Sequence, residues 1–376
     1  MTILKGMTWD HPRGIDSVVA CNDLVKERFG VTIDWTARSL LQFGDQHVRE
    51  FAQGNDLMVI DHPHVPDGVA DGALVAMEDV LSRDQLDVLE RESAGPSHES
   101  YRFEGRTWAL ALDAAAQVSV YRPDLVDGVP FFWDDIMVDA KKGKVLWAYK
   151  PVDAFSTFAT LSAQMGSAMG STPDFVSHAT TQNVLDFMIE FAASVPEWCH
   201  ASNPFEISER LVDGDDYWYA APLYGYTNYS REGFRPAVLA YDDVPSFDGT
   251  ARGSQLGGAG IAVSAYSKNR QLAAEIAAYL ASAEAQNGPY TEHHGQPGNV
   301  RAWLSPRMNG LTHNFFRNTL RSIEGAWVRP RLVGWPDFQF DVSQVIHRVL
   351  MNKRFSSEDW ALMEQHCETL MERSAR

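Results

Sequence analysis

The chain has 376 residues, 45% of them hydrophobic, and Lys+Arg 32 against Asp+Glu 50 gives a formal charge of 32 − 50 = −18. That length is large for one core and favours two lobes. So acidic a chain is repelled by phosphate backbones and anionic membrane surfaces, which argues against nucleic acid and lipid as partners.

The first stretch, Ile3 to Trp9, reads as a strand that runs into Asp10-His11-Pro12-Arg13-Gly14. Asp16-Ser17 can then cap a helix with Val18, Cys21, Leu24, Val25 and Phe29 on one face, stopped by Gly30. Val31 to Trp35 alternates as a strand should, a helix follows over roughly Gly44 to Gln53, and Asp56 to Ile60 is a short buried strand. This second buried strand ends in Asp61-His62-Pro63-His64, so two strands end in Asp-His-Pro about fifty residues apart. Strand, helix, strand, helix, strand is the signature of a parallel sheet, whose ligands bind beyond the carboxyl ends of the strands.

Tyr101 to Leu110 reads as a hairpin turning at Glu104-Gly105, continuing through Leu112 to Ala115 into a further strand, Gln117 to Tyr121. Lys141-Lys142-Gly143-Lys144 is a short basic cluster that reads as a solvated loop. The middle supplies a strand at Val145 to Ala148, a helix from Pro151 towards Gly166 and another at about Thr181 to Ser194. An aromatic strand, Tyr217 to Ala221, leads into a loop bearing Tyr224, Tyr226, Asn228 and Tyr229, and Pro236 to Tyr241 can return as a strand. Gly257-Gly258-Ala259-Gly260 reads as a tight turn entering a strand, Ser267 caps a long helix, and Ser356 to Asp359 opens a last one.

Three groups of residues could carry chemistry. Asp10, His11, Asp61, His62 and His64 meet at strand ends and suit ligand hydrogen bonding, acid–base work or a metal. Trp9, Trp147, Tyr149, Tyr224, Tyr226 and Tyr229 lie in predicted loops or strand ends, where rings stack on a sugar or pack in a core. The glycine run lacks both GxGxxG and GKS/T, so close backbone approach or a tight crossover explains it better than a nucleotide. Cys21, Cys199 and Cys367 have no CxxC or metal spacing, and GxSxG, HExxH and SxxK do not occur. No apolar run is long enough for a transmembrane helix.

In Gly257 to Ser264 with Ser267-Lys268, Ala273-Ala274-Glu275-Ile276, Ser282 to Gln286, Gly295-Gln296-Pro297 and Arg329-Pro330-Arg331, the chain resembles the family 1 extracellular solute-binding proteins. These are the ligand-capturing subunits of ABC-type importers. The resemblance implies a type II periplasmic-binding-protein-like fold: two Rossmann-like α/β lobes joined by a hinge, closing on a small polar solute. Lobe 1 would be residues 1–115 and 254–298, and lobe 2 residues 116–253 and 299–376. By position the resemblance places Trp9, His11, Arg13, Asp61, His62 and His64 at the ligand from lobe 1, with Asp113 near the hinge and Gly258 beside the cleft. From lobe 2 it places Trp147, Tyr149, Lys150, Tyr224, Tyr226 and Asn228.

The implied ligand is a carbohydrate or polyol, with a carboxylated solute as the alternative that Arg13 and Lys150 raise. No cofactor and no catalysis are implied, and the partners are permease subunits, met by a monomer. A metal-binding member using His11, His62, His64 and a Tyr of the 224–229 loop is a second reading, and an enzyme on the same fold a third. Family members are exported, which implies the periplasm. The first residues show no charged n-region with an apolar h-region, so a cytoplasmic binding role is the alternative address.

Overall fold

The computed structural model describes residues 2–170 and 175–375. The chain divides into two compact units, one of residues 1–115, 257–311 and 331–333, the other of residues 116–256, 312–330 and 334–376.

In the first unit, β1 (Ile3–Trp9) lies parallel to both β2 (Thr32–Arg38) and β3 (Leu57–Ile60). A small hairpin of β4 (Arg102–Phe103) and β5 (Arg106–Thr107) turns at Glu104-Gly105, both with positive φ, as the sequence predicts. β6 (Leu110–Tyr121) is one long strand where the sequence suggests two. Its polar residues do not interrupt it because each finds a buried partner: Arg13 for Asp113, and Thr160 and Thr157 for Gln117.

The sheet order in this unit is β2-β1-β3-β10-β6, where β10 is Leu256–Val263, antiparallel to β3 with Gly260 opposite Ile60. Leu57 and Val59 enter one apolar cluster with Leu4, Val25 and Ile33, while Met58 and Ile60 enter another with Val65 and Tyr101. Both faces of β3 are therefore core, which is why it reads as an unbroken apolar run.

Two predicted helices are each split. The first begins earlier than expected, at Pro12, with His11 as its N-cap, and breaks at Ala20-Cys21 before resuming over Asn22–Phe29. Pro12 suits the first helical turn, and the apolar face survives the break, with Val18, Cys21 and Val25 all buried. Residues 44–53 form parts of two short helices, Leu40–Asp45 and Arg49–Ala52. Residues 299–311, expected with the second lobe, group with the first unit: Val300 N donates to Glu92 O, and Asn299 N to Gln286 Oε1.

In the second unit, β7 (Val145–Leu146) runs parallel to β8 (Tyr219–Tyr224), and both β8 and β9 (Ala240–Asp242) pair antiparallel with β6. The helices Pro151–Gln164, His178–Ser194 and Trp335–Asn352 pack together. Trp133, Trp147, Phe155, Phe158, Phe191 and Trp335 fill the interior. The last helix, Ser357–Ser374, starts at a Ser356/Asp359 capping box, as its sequence predicts. Among the described residues no helix is long and apolar enough to cross a membrane.

Candidate functional site

In the first unit the carboxyl ends of β1 and β3 deliver two polar turns to the same edge of the sheet. After β1, His11 Nδ1 accepts from Arg13 N (3.1 Å) and caps the helix that follows. Arg13 lies on that helix and donates from Nε to Asp113 Oδ2 (2.7 Å) and from Nη2 to Oδ1, a bidentate pair with both partners buried. Burial pushes the Asp113 carboxyl up and the Arg13 guanidinium pulls it back, with Asp61 a further upward influence. Trp9 is buried with its ring 5.0 Å from that of Phe43.

After β3, Asp61 Oδ1 accepts from His62 N (2.8 Å) and opens a single 3-10 turn. His62 is fully buried, edge-on to Tyr101, and His64 Nε2 sits 2.8 Å from Gly44 O. The turn thus aims the two histidines at different partners. Among the described residues no three His, Cys, Asp or Glu side chains converge as a metal-ligand set.

Gly258 has φ of +109°, and a Cβ there would strike the backbone of Asp113 and Ala114. The glycine run lies within β10 rather than in a turn before it, and Gly258 lets that strand approach its sheet neighbour β6 closely.

In the second unit, β7 and β8 end together, and Gln117 opposite Tyr224 brings the start of this unit's part of β6 to the same end. Lys150 caps the helix Pro151–Gln164 there, with Nζ 2.8 Å from Glu206 Oε2. Tyr226 packs its ring 4.2 Å from Phe205. Trp147 and Tyr149 stack at 4.6 Å and Trp147 reaches Phe191 at 5.1 Å, so both rings belong to the packing of this unit. The Trp147 indole is satisfied there, donating to Thr157 Oγ1 (3.1 Å).

Tyr224 Oη accepts from Gln255 Nε2 (2.9 Å), which also donates to Ser156 Oγ (3.0 Å). Among the described residues the Gln255 Oε1 atom is buried without a hydrogen-bond partner, and so are both polar side-chain atoms of Asn228, a residue with 0% exposure. A buried amide left unbonded costs about 1–3 kcal/mol, so these atoms are open to a further hydrogen bond from water or a solute.

Sequence reasoning passed over Gln255, Ser156 and Asp153. The readable signal was a polar residue at each of Asp153, Ser156, Thr157 and Thr160 in an otherwise apolar helix, at i, i+3, i+4 and i+7. Asp153 is 6% exposed, and burial pushes its carboxyl up to about 8, opposed by Lys150 and reinforced by Glu206.

Two α/β units, each presenting polar side chains beyond its strand ends, define a solute-binding class of protein. A model of the bacterial extracellular solute-binding proteins matches residues 21–297, and the chain belongs to that family. No curated protein matches. Solved structures share the fold at low identity. MalE3 of T. maritima, bound to maltose, has a TM-score of 0.81 at 15% identity, covering 98% of this chain and 99% of that one. A solute-binding protein of Agrobacterium radiobacter K84 in complex with ribitol has a TM-score of 0.79 at 17% identity, covering 99% and 98%. One from Thermotoga lettingae bound to α-D-tagatose has 0.79 at 15%, covering 99% of each.

Proposed function

We propose that this protein is the solute-capturing subunit of an ABC-type importer for a neutral carbohydrate or polyol, working in the periplasm and handing its cargo to permease subunits without changing it. The observation that carries the choice of solute is the pairing of charges. Arg13 is held by Asp113 and Lys150 by Glu206, while, among the described residues, the buried side-chain atoms without a hydrogen-bond partner near the end of β8 include both amide atoms of Asn228 and Oε1 of Gln255. Amides both donate to and accept from hydroxyls, whereas a carboxylated solute asks for an available cation. Each of the three related structures named above holds a neutral sugar or polyol.

On this reading the two units are the ligand-binding lobes. The first contributes Trp9, His11, Asp61 and His62; the second contributes Tyr224, Tyr226, Asn228 and Gln255. Trp147 and Tyr149 support the second group from behind.

Calorimetric titration with neutral sugars, polyols and the matching sugar acids tests this. Binding of at least one neutral member is expected, with its acid analogue weaker. An acid that binds more tightly than every neutral compound would refute it.

A further inference from the structure

The helix Pro151–Gln164 carries a buried polar stripe, Asp153, Ser156, Thr157, Thr160 and Gln164, each at least nine-tenths buried. Four of the five are bonded. Gln255 Nε2 donates to Ser156 Oγ, Trp147 Nε1 to Thr157 Oγ1, and Trp133 Nε1 to Gln164 Oε1. Thr160 Oγ1 donates to Gln117 Oε1 and accepts from Gln255 N.

Asp153 ends the stripe, and among the described residues its carboxyl has no hydrogen-bond partner. It stands on the first turn of the helix, at the end where β7 and β8 finish, one turn from Ser156, which accepts from Gln255. A carboxyl this buried is bonded to no described residue of its own unit and leaves its oxygens for another partner.

We propose that Asp153 is a solute-anchoring residue, and that capture of a neutral sugar or polyol displaces its proton to solvent. The inference rests on the function proposed above and deepens it. Solute hydroxyls are donors, and charge-assisted bonds to a carboxylate are about twice as strong as neutral ones. The solute supplies donors that the neighbouring side chains do not. The proton leaves the carboxyl, and the two oxygens then accept hydrogen bonds from the solute.

The charges around the group are few. Lys150 lies on the same helix cap and favours the ionised form, and Glu206 on the helix Pro204–Val212 opposes it while pairing with Lys150. Ionisable groups of the helix Trp335–Asn352 are engaged elsewhere: Asp337 with Arg373, Asp341 with His366, and Arg348 with Asp359. His347 of that helix faces His200. On the helix His178–Ser194, Glu190 pairs with Lys141, Asp186 accepts from Gln182, and His178 packs edge-on to Trp360. Burial is thus what keeps the proton on, and it pushes the Asp153 carboxyl up to about 8.

The test uses maltose, ribitol and tagatose as probes, titrated calorimetrically at pH 6, 7 and 8 against the wild type and Asp153→Asn. One linked proton raises affinity about tenfold per pH unit, up to about 100-fold across this range. At pH 7 the heat should also differ between phosphate and Tris by the two buffers' ionisation heats. Asp153→Asn should lose both the slope and the buffer effect. A wild-type affinity that is flat or falls with pH, or a slope that persists in Asp153→Asn, overturns the proposal.

A second arm needs no solute. The gap in unfolding midpoint between Asp153→Asn and the wild type should be small at pH 4 and widen towards pH 8, because the unfolded wild type ionises in that window and the folded one does not. A gap independent of pH overturns the proposal. If none of the three probes binds, the reading of the solute fails, and this arm alone decides whether Asp153 is the protonated group.

Discussion

Replacing Arg13 by Ala should destabilise the protein by an amount that depends on pH, and the size can be worked out. Arg13 and Asp113 side chains are 5% and 1% exposed, so the variant leaves a carboxylate without its guanidinium in a place water barely reaches. Breaking such a pair costs about 3–5 kcal/mol. There is a ceiling, because Asp113 can take up a proton instead. Relative to its ordinary value of 3.8, full neutralisation at pH 7 costs about 4 kcal/mol and at pH 5 about 1.6 kcal/mol. The sign follows from the folded value being raised: the penalty is absent below about pH 4 and grows as the unfolded chain ionises. Urea unfolding followed by tryptophan fluorescence at both pH values measures it. Adding Asp113→Asn to Arg13→Ala is the control: it removes the titrating carboxyl, so the double variant should be more stable than Arg13→Ala by a margin that grows from pH 5 to pH 7. The double variant R13M/D113L should recover most of the loss. A loss under about 1 kcal/mol at both pH values for Arg13→Ala, or one identical at both, would refute the argument.

Gly258→Ala should lose about 2–4 kcal/mol, from the positive φ and from the clash with the backbone of Asp113 and Ala114, seen as a lowered urea midpoint. Asn228→Ala should weaken solute binding about tenfold to 100-fold while costing little stability, since the amide makes no hydrogen bond to a described residue; equal losses in both would count against its role. Ser356→Ala removes the capping box of the last helix and should cost about 1 kcal/mol in a thermal melt. Between about pH 4 and pH 8 the stability gained by Asp153→Asn should rise by about 1.4 kcal/mol per unit.

Much of the architecture was legible because it rests on local patterns. The apolar run at residues 57–60, the Glu104-Gly105 hairpin turn and the Ser356 capping box each appear as expected. Strand ends also announced where polar side chains gather. Long-range partners were not legible. Nothing near Asp113 in the sequence points to Arg13, so a buried pair looked like a strand break and a ligand contact. Trp147 and Tyr149 looked like loop aromatics because the helix bearing Phe191, which Trp147 stacks on, lies some forty residues on. Asp153 was hidden for a local reason: a carboxyl in the first turn of a helix reads as an ordinary response to the helix dipole.

The division of the chain also governs how it can be made. β10 sits between β3 and β6 and brings Ile261, Ala262 and Val263 into the interior of the first unit, yet it begins at residue 256. A nascent chain of some 250 residues therefore holds β1, β2 and β3 with one edge of its sheet open, and an open apolar edge invites pairing with other chains. Folding of the first unit has to wait for sequence that arrives after most of the second, so contacts of long range set its rate. No single proteolytic cut can release either unit intact, and a fragment ending before residue 256 should be aggregation-prone rather than an independent domain.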